Sequence, residues 1–548
     1  MKNLSRILAG FIALASMAMI QSCDNEDPKP VVPSVGAPTT TADVQIGTTT
    51  DVSFEYTAPG GFASSAVTAT GGTAIVKTDA AAGETEGTIV VTFTAGANAG
   101  AGSVTLTVTD NANQSISATA LLNVTLTAQT ITLQGDITSN LTLDATKRYL
   151  IKGKVYVNAP AKLTIPAGTL LLGDKDSDGT LIINRGASID AQGTAADPII
   201  MTSAAPKGFR NRGDWGGLVI LGKAYNSNNA SATIEGITAS AGSENGVYGP
   251  GSGNAADNDN SGILKYVRIE FAGIALSQDN ELNSLTLGSV GSGTTIDHIM
   301  VSYGNDDAYE WFGGSVNHKY LIAYSTIDDD FDTDRGYNGK VQYALVVRDP
   351  AVADFSGSRA WESSSNNSAT APTVGGVSRH SAPKFSHVTV LGPLLFRAAA
   401  NISGFYRAAL EVNSNSAIQV HNSIITGFPN STNFATAGSV VTSNVFAANT
   451  TQAAAGASAP PSFATDNVLD NSVSGIFGAF PSGSLYSFEN FPKVQAATSP
   501  YLTGAVDLSA DAFFDNAAYK GAFGATSAAE WNFATGWVNF DPNSLDYQ

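Results

Sequence analysis

Three stretches decide the fold: HIMVSYGNDD (298–307), KYLIAYSTID (319–328) and KVQYALVVRD (340–349), each starting 21 residues after the one before. This alignment puts apolar residues into common columns, namely Val301 with Ile322 and Tyr343, and Tyr303 with Tyr324 and Leu345. A period near 21 without helical spacing predicts one coil of a parallel β-solenoid, in which equivalent residues stack about 4.8 Å apart. An array of β-sandwiches would need antiparallel hairpins, which the in-register repeat disfavours.

The same opening recurs at larger intervals in KYVRIEFAG (265–273) and KFSHVTVLG (384–392). Larger intervals are expected where loops are inserted between coils. We therefore predict that the β-helix occupies residues 127–520, with a C-terminal cap at 521–548. Trp531, Trp537 and Phe540 in that cap are expected to cover the last coil.

An acidic segment, STIDDDFDTDRG (325–336), lies inside the repeat. The 21-residue period aligns Asp307, Asp328 and Asp349, which predicts a stacked column of carboxylates. Like charges about 5 Å apart repel by roughly 3 kcal/mol per pair at an effective dielectric constant near 20. Such a column needs a cation, an arginine or a raised pKa.

Three interpretations of this acidic cluster remain open. The first is a cation site, most simply for Ca²⁺, which prefers oxygen ligands; its candidate ligands are Asp306, Asp307, Asp328, Asp329, Asp330 and Asp332. The second is a catalytic site in which carboxylates act with an arginine base; its candidates are Asp307, Asp328, Asp349 and Arg335, with Arg348 as an alternative base. The third is a solvated acidic ladder that serves only solubility.

The N-terminus has the pattern of an export signal. Lys2 and Arg6 precede an apolar run that ends near Ile20, and IQSC then presents Cys23, the only cysteine in the chain. This resembles a bacterial lipobox, which implies a lipoprotein signal peptide at 1–22 and acylation of Cys23. Residues 23–34 are acidic and proline-rich, which is typical of a tether. The acidic residues after Cys23 also resemble the surface-export signal of Bacteroidetes lipoproteins.

Residues 35–126 alternate apolar and polar side chains in segments such as TDVSFEYTA, GTIVVTFTA and GSVTLTVTD. The end of this region resembles the last hairpin of bacterial immunoglobulin-like domains. The sequence therefore predicts an all-β chain, with an immunoglobulin-like β-sandwich followed by a large right-handed parallel β-helix.

The composition limits the partners. The formal net charge is −19, so the surface would repel phosphate, and we expect no nucleic-acid partner. Membrane lipid held through Cys23 and an extracellular polysaccharide remain as expected partners, and the chain is expected to be a monomer.

Several segments together resemble a family of Bacteroidetes surface lipoproteins with a pectin-lyase-like β-helix. They include RGDWGGLVILGKA (212–224), SGILKYVRIEFAG (261–273) and DDDFDTDRGYNGKVQYALVVRD (328–349). The resemblance implies an outer-membrane, surface-exposed protein and carries over no established reaction. The expected function is envelope binding or adhesion, through glycan or another extracellular ligand. The alternative is a Ca²⁺-dependent polysaccharide lyase or a glycoside hydrolase.

Overall fold

The computed structural model describes residues 31–38, 41–96, 98–125, 129–237, 243–277, 280–477, 496, 498–524, 531 and 536–547. Its contacts divide the chain into two compact units, 1–127 and 128–548. The predicted signal peptide and Cys23 lie outside the described residues. No helix in the described ranges is long and apolar enough to cross a membrane.

The first unit contains two four-stranded sheets around one apolar cluster. In spatial order, one sheet consists of Ser34–Gly36, Thr49–Thr57, Glu86–Ala95 and Gly72–Thr78. The other consists of Ala42–Gln45, Ser115–Thr125, Gly100–Asp110 and Phe62–Thr70. Alternation explains this packing, because Val52, Phe54 and Tyr56 point inward while the residues between them face water.

The second unit is a large parallel β-helix with 26 strands in a single sheet, which confirms the predicted solenoid. The strands are Thr130–Ile137, Leu141–Thr142, Arg148–Val157, Lys162–Pro166, Leu170–Gly173, Thr180–Ile183, Ser188–Gln192, Ile199–Ser203, Gly217–Leu221, Gly262–Glu270, Leu285–Gly288, Thr295–Ser302, Tyr309–Phe312, Asn317–Tyr324, Phe331–Asp334, Lys340–Val347, Trp361–Ser363, Lys384–Leu391, Ala408–Val412, Gln419–His421, Ile424–Thr426, Asn430–Phe434, Val440–Thr442, Val445–Ala447, Thr451–Ala455 and Val468–Asp470.

Short hairpins and helices lie in the segments that connect or follow the strands. Two short hairpins pair Ala232–Thr233 with Val247–Tyr248 and Ala275–Ser277 with Asn280–Glu281. The single described α-helix is Phe463–Asp466, and the described 3-10 helices are Lys175–Ser177, Pro393–Leu395, Ala399–Asn401, Pro500–Leu502 and Pro542–Ser544.

Each coil has three faces, which we name by one coil: face A contains residues 295–297, face B residues 299–302 and face C residues 309–312. A residue with left-handed backbone separates faces A and B within one long strand. It is His298 in this coil and Tyr320 in the next, with φ of 55° and 60°. The segment that leads from face B to face C is called the B–C corner.

The register between coils differs from the predicted 21 residues. Ile299 pairs with Leu321, and Leu321 pairs with Ala344, so consecutive coils are offset by 22 and 23 residues. The predicted columns that joined Val301 to Ile322 and Tyr303 to Tyr324 are therefore wrong. A one-residue slip exchanges the inner and outer faces of a strand. The sequence could not detect it, because both sides of face B are apolar.

The bend residues between faces A and B form a column of stacked rings. His298 lies between Tyr266 and Tyr320, with ring centroids 4.3 Å away on each side, and Tyr320 stacks on Tyr343 at 5.1 Å. His298 heads the first repeat at the position that Lys319 and Lys340 hold in the next two, which predicts a surface residue. It is instead buried and equivalent to these tyrosines, because Asp297 is the residue that pairs with Lys319.

The C-terminal aromatics pack along the outer side of face B and not on the last coil. Trp537 contacts Tyr266 and His298, Trp531 contacts Tyr320, and Phe540 contacts Tyr324. The predicted covering of the last coil by these rings is therefore wrong. The reason is the second apolar side of face B, which includes Met300, Ile322 and Tyr324 and would otherwise face water. Near the C-terminal coils, Phe463 packs against Phe434 and Phe446.

Candidate functional site

The candidate site lies on the outer side of face C. Backbone pairing aligns Glu310, Asp332, Glu362 and Glu411 on four consecutive coils, and we call these residues the acidic column. Each follows a large inward-facing residue, in Tyr309–Glu310, Phe331–Asp332, Trp361–Glu362 and Leu410–Glu411. Strand alternation then forces the acidic side chain outward.

The B–C corner adds further carboxylates beside this column. Asp307 and Asp329 occupy equivalent positions on adjacent coils, and the Asp307 Oδ1 accepts a hydrogen bond of 2.8 Å from the Asp329 backbone N–H. Asp306 is likewise equivalent to Asp328, given the 22-residue offset of the strands that follow them. The B–C corner thus brings together two pairs of aspartates, Asp306 with Asp328 and Asp307 with Asp329, on neighbouring coils.

The structure brings some of the predicted ligands together and separates others. Carboxylate oxygens of Asp306, Asp307 and Asp328 lie within 4.8 Å of one another, as do those of Asp307, Glu310 and Asp332. Asp307 belongs to both groups. We call these five residues the five-carboxylate cluster.

Asp349 and the predicted arginine bases do not join this cluster. The Asp349 carboxylate lies 3.7 Å from the Arg212 guanidinium, and the column of Asp307, Asp328 and Asp349 is wrong because the coil offset is not 21. Arg335 pairs with Asp334 at 3.2 Å, beyond the far end of the strand Phe331–Asp334.

Arg348 is fully buried, and its two terminal nitrogens are engaged by the protein. Its guanidinium lies 3.0 Å from Asp330 Oδ1 and donates hydrogen bonds to the backbone oxygens of Asp328 and Ile327, at 2.7 and 2.9 Å. Asp330 is therefore the ion-pair partner of Arg348. The ion pair explains why the Asp330 pKa rises only to about 6 despite complete burial.

Arg359 neutralises the C-terminal half of the acidic region. It lies 3.6 Å from Asp329, 2.8 Å from Glu362 and 3.0 Å from Glu411. The sequence did not single out Arg359, Glu362 or Glu411, because insertions separate them from the repeat. The alternation of a large apolar residue and an acid, as in WES and LEV, was the available signal.

The five-carboxylate cluster has no such partner. Within the described ranges, none of its members makes an ion pair with a lysine, arginine or histidine within 4.0 Å. Two of its oxygens, Asp328 Oδ1 and Asp332 Oδ1, are buried and accept no hydrogen bond. Asp307 itself is only 6% exposed. Buried polar atoms usually have partners, so these two oxygens are available to a ligand from solution.

The electrostatics agree with this geometry. Burial, followed by the charges of Asp306 and Asp332, raises the pKa of Asp307 well above its ordinary value. Burial and the charge of Asp328 do the same to the pKa of Asp306. Burial also raises the pKa of Asp328 to about 7, with Asp354 contributing and Ser356 opposing. The protein therefore gathers carboxyl groups without a basic partner, and their raised pKa values favour the protonated form in the absence of a cation.

Oxygen ligands with this arrangement fit a hard divalent cation, and Ca²⁺ in particular takes six to eight oxygens in flexible geometry. The residues that could hold it are the members of the five-carboxylate cluster. Asp329 and Asp330, also predicted as ligands, form ion pairs with Arg359 and Arg348. The histidines His298 and His387 lie in the ring column between faces A and B, away from this cluster.

Comparisons with known proteins identify the fold family. Residues 135–460 match the family model described as a pectate-lyase like beta helix domain. No curated protein matches the chain. A solved structure, the family 28 exopolygalacturonase of Yersinia enterocolitica, aligns over 83% of this chain and 98% of its own, at 9% identity. Its TM-score of 0.18 is too low to carry an argument.

The matched region spans more than half of the chain and contains both the acidic column and the five-carboxylate cluster. The chain belongs to the pectate-lyase-like β-helix family.

Proposed function

We propose that this protein binds an extracellular polysaccharide through Ca²⁺ held by the five-carboxylate cluster. The observation that carries the proposal is the contrast between the two halves of the acidic region. Arg359 satisfies Asp329, Glu362 and Glu411, whereas Asp306, Asp307, Glu310, Asp328 and Asp332 have no counter-ion among the described residues. A cation supplied from solution would complete that half.

The bound cation would link the protein carboxylates to the polysaccharide. A chain with a net charge of −19 repels acidic polymers, so a bound divalent cation would offset that repulsion at the contact point. Carbohydrate hydroxyl and carboxylate oxygens are ligands of the same hard class as the protein carboxylates. The family membership supports a polysaccharide as the ligand, because its model is described as pectate-lyase like.

The ion pairs of the buried arginines favour a binding function over lyase chemistry. An arginine base must be able to lose a proton, and ion pairing with Asp330 raises the pKa of Arg348 instead. Arg359 is held in the same way by Asp329 and Glu362. Neither guanidinium is poised to act as a base, and the candidate base Arg335 pairs with Asp334 away from the five-carboxylate cluster.

A glycoside hydrolase is the second candidate, and one observation favours it. Burial raises the pKa of Asp328 to about 7, and Asp328 lies beside Asp306, so it could donate a proton to a leaving oxygen near neutral pH. Cleavage of a polysaccharide that depends on Asp328 would establish this alternative.

The cellular setting forms part of the proposal. The lipobox-like IQSC and the acidic residues after Cys23 support a surface-exposed outer-membrane lipoprotein of the Bacteroidetes type. The two sheets of residues 31–125 support an immunoglobulin-like spacer between the lipid anchor and the β-helix. Release of the protein from membranes by a Cys23→Ala change would test the anchor.

The central test is calcium titration of chelator-treated protein by calorimetry. Wild type should bind Ca²⁺, and Asp307→Asn should weaken binding at least about tenfold because Asp307 belongs to both carboxylate groups. Asp349→Asn is the matched control, since Asp349 faces Arg212 and should leave the affinity unchanged. Equal affinity in all three proteins would refute the cation site.

Ligand binding is tested by affinity electrophoresis in gels that contain polygalacturonate or xylan, with and without Ca²⁺. Retardation in the presence of Ca²⁺, without release of products, supports the binding function. Release of new reducing ends or unsaturated products, abolished by Asp328→Asn, would replace it with the enzyme. Neither retardation nor products from any polymer would overturn both.

A further inference from the structure

Exposed aromatic rings are concentrated at one edge of the β-helix. Among the described residues, the aromatic side chains that remain exposed are Phe209, Phe355 and Phe405, at 74%, 59% and 45%. Single exposed apolar residues are common on protein surfaces. Here, however, all three belong to the same structural position, the loops of the B–C corner.

The strand order establishes this placement. Phe209 lies between Ile199–Ser203 and Gly217–Leu221, Phe355 between Lys340–Val347 and Trp361–Ser363, and Phe405 between Lys384–Leu391 and Ala408–Val412. In each case the first strand contributes to face B and the second strand belongs to face C. The three rings therefore project from the same corner on different coils.

The five-carboxylate cluster lies between these rings along the axis. Each coil contributes one segment to the B–C corner. After the Phe209 loop these segments are, in order along the axis, 271–284, 303–308, 325–330, the Phe355 loop and the Phe405 loop. At about 4.8 Å per coil, Phe209 and Phe405 are separated by roughly 24 Å along the axis. Phe355 and Phe405 are on adjacent coils.

Hydrogen bonds fix the Phe355 loop against the carboxylates. Ser356 donates from Oγ to Asp328 Oδ2 at 3.0 Å, and Ser358 donates from Oγ to the Ile327 oxygen at 2.7 Å. The Ser358 backbone N–H donates to the Phe405 oxygen at 3.1 Å, which joins the two phenylalanine loops. The rings of Phe355 and Phe405 are therefore carried by loops that are anchored beside the cation site.

A cleft lies near the phenylalanine rings at each end of this row of B–C corner loops. A cleft of about 440 Å³ near the Phe209 loop is lined by Arg210, Arg212 and Tyr303, among others. A second cleft, of about 310 Å³, is lined by Ile402, Tyr406 and Thr450 on the other side of the acidic corner. The second cleft has mainly apolar walls with few polar groups, which is the usual form of a ligand site, whereas the first is lined mainly by charged and amide side chains.

We infer that Phe355 and Phe405 are stacking platforms for consecutive sugar rings of a polysaccharide that runs along the B–C corner, past the five-carboxylate cluster, towards Phe209. This inference rests on the proposed function and assigns residues that determine affinity and ligand length. A pyranose ring presents an apolar face of C–H groups, and a phenyl ring that stays exposed in the free protein gains most by covering it. An extended polymer also matches the linear order of the three rings.

The experiment compares Phe355→Ala, Phe405→Ala and Phe209→Ala with wild type, using xylan and polygalacturonate and the disaccharide of each. Phe355→Ala and Phe405→Ala should each weaken polymer binding about tenfold. Each change removes one contact between a phenyl ring and a sugar ring, together with the apolar area that this contact buries. Phe209→Ala should weaken polymer binding but not disaccharide binding, because a disaccharide on Phe355 and Phe405 cannot reach it. Leu121→Ala, an exposed apolar truncation in the first unit, is the matched control.

The outcomes separate this inference from the proposed function. All variants should keep the calcium affinity and melting temperature of wild type, because the three rings are exposed and ligate nothing. If wild type binds a polymer and the double variant Phe355→Ala/Phe405→Ala binds it equally well, the platforms are refuted while the proposed function stands. If wild type binds no polymer in the presence of Ca²⁺, both are overturned.

Discussion

The substitution Asp307→Asn should stabilise the calcium-free protein and should reduce the stabilisation that calcium provides. Asp307 is shared by the two carboxylate groups, whose oxygens lie within 4.8 Å of one another. Asparagine keeps the side-chain oxygen that accepts the Asp329 backbone N–H, so the local hydrogen bond survives. The change therefore removes a charge without removing the structure around it.

The magnitude follows from the separation of the carboxylates. Two unit charges 4.8 Å apart repel by about 3.5 kcal/mol at an effective dielectric constant of 20. Partial protonation of the cluster lowers the repulsion that is expressed at neutral pH, since the pKa of Asp307 and of Asp306 is raised. We expect calcium-free Asp307→Asn to be more stable than calcium-free wild type by about 1–3 kcal/mol.

Calcium should reduce this advantage of the variant. A ligand present at 100 times its dissociation constant stabilises the native state by about 2.7 kcal/mol, and a tenfold loss of affinity removes about half of that. The assay is thermal or urea denaturation of both proteins in EDTA and in millimolar CaCl₂. A variant that is less stable than wild type under both conditions would refute the reasoning, because Asp307 would then be an ordinary structural residue.

Three further predictions follow from the same structure. Burial raises the pKa of Asp328 from 3.8 to about 7, so the folded protein binds this proton more tightly than the unfolded chain. The resulting stabilisation is complete below the pKa of Asp328 in the unfolded chain and is lost as the pH rises through 7. The melting temperature of calcium-free protein should thus rise between about pH 8 and pH 6, with a smaller rise in Asp328→Asn. Arg348→Met should destabilise the protein by about 3–5 kcal/mol in urea unfolding, since Asp330 is left buried without its partner, and adding Asp330→Asn should recover part of the loss. Trp537→Ala should cost about 3–5 kcal/mol and reduce the near-ultraviolet circular dichroism, whereas an unchanged spectrum would contradict the packing of Trp537 on Tyr266 and His298.

The acidic region shows how far a repeat in the sequence can be followed. Asp306, Asp307, Asp328 and Asp332 are close in the chain and fall on consecutive coils, so composition and approximate period were enough to bring them together. Glu362 and Glu411 belong to the same column, but the offsets that place them are 30 and 49 residues. Inserted loops of arbitrary length break a period, so the sequence predicted the cluster and not the column.

The sequence by itself determined that short, apolar, turn-bounded segments would coil into a parallel β-helix, because the repeat and the inward positions follow from local chemistry. The tertiary structure decided the register and the ion pairs. Face B is apolar on both sides because the C-terminal aromatics cover it, so hydrophobicity alone could not tell an offset of 21 residues from one of 22 or 23. That single step decides whether the backbone position of Asp307 is equivalent to that of Asp328 or to that of Asp329 on the next coil, and therefore which carboxylates lie beside an arginine.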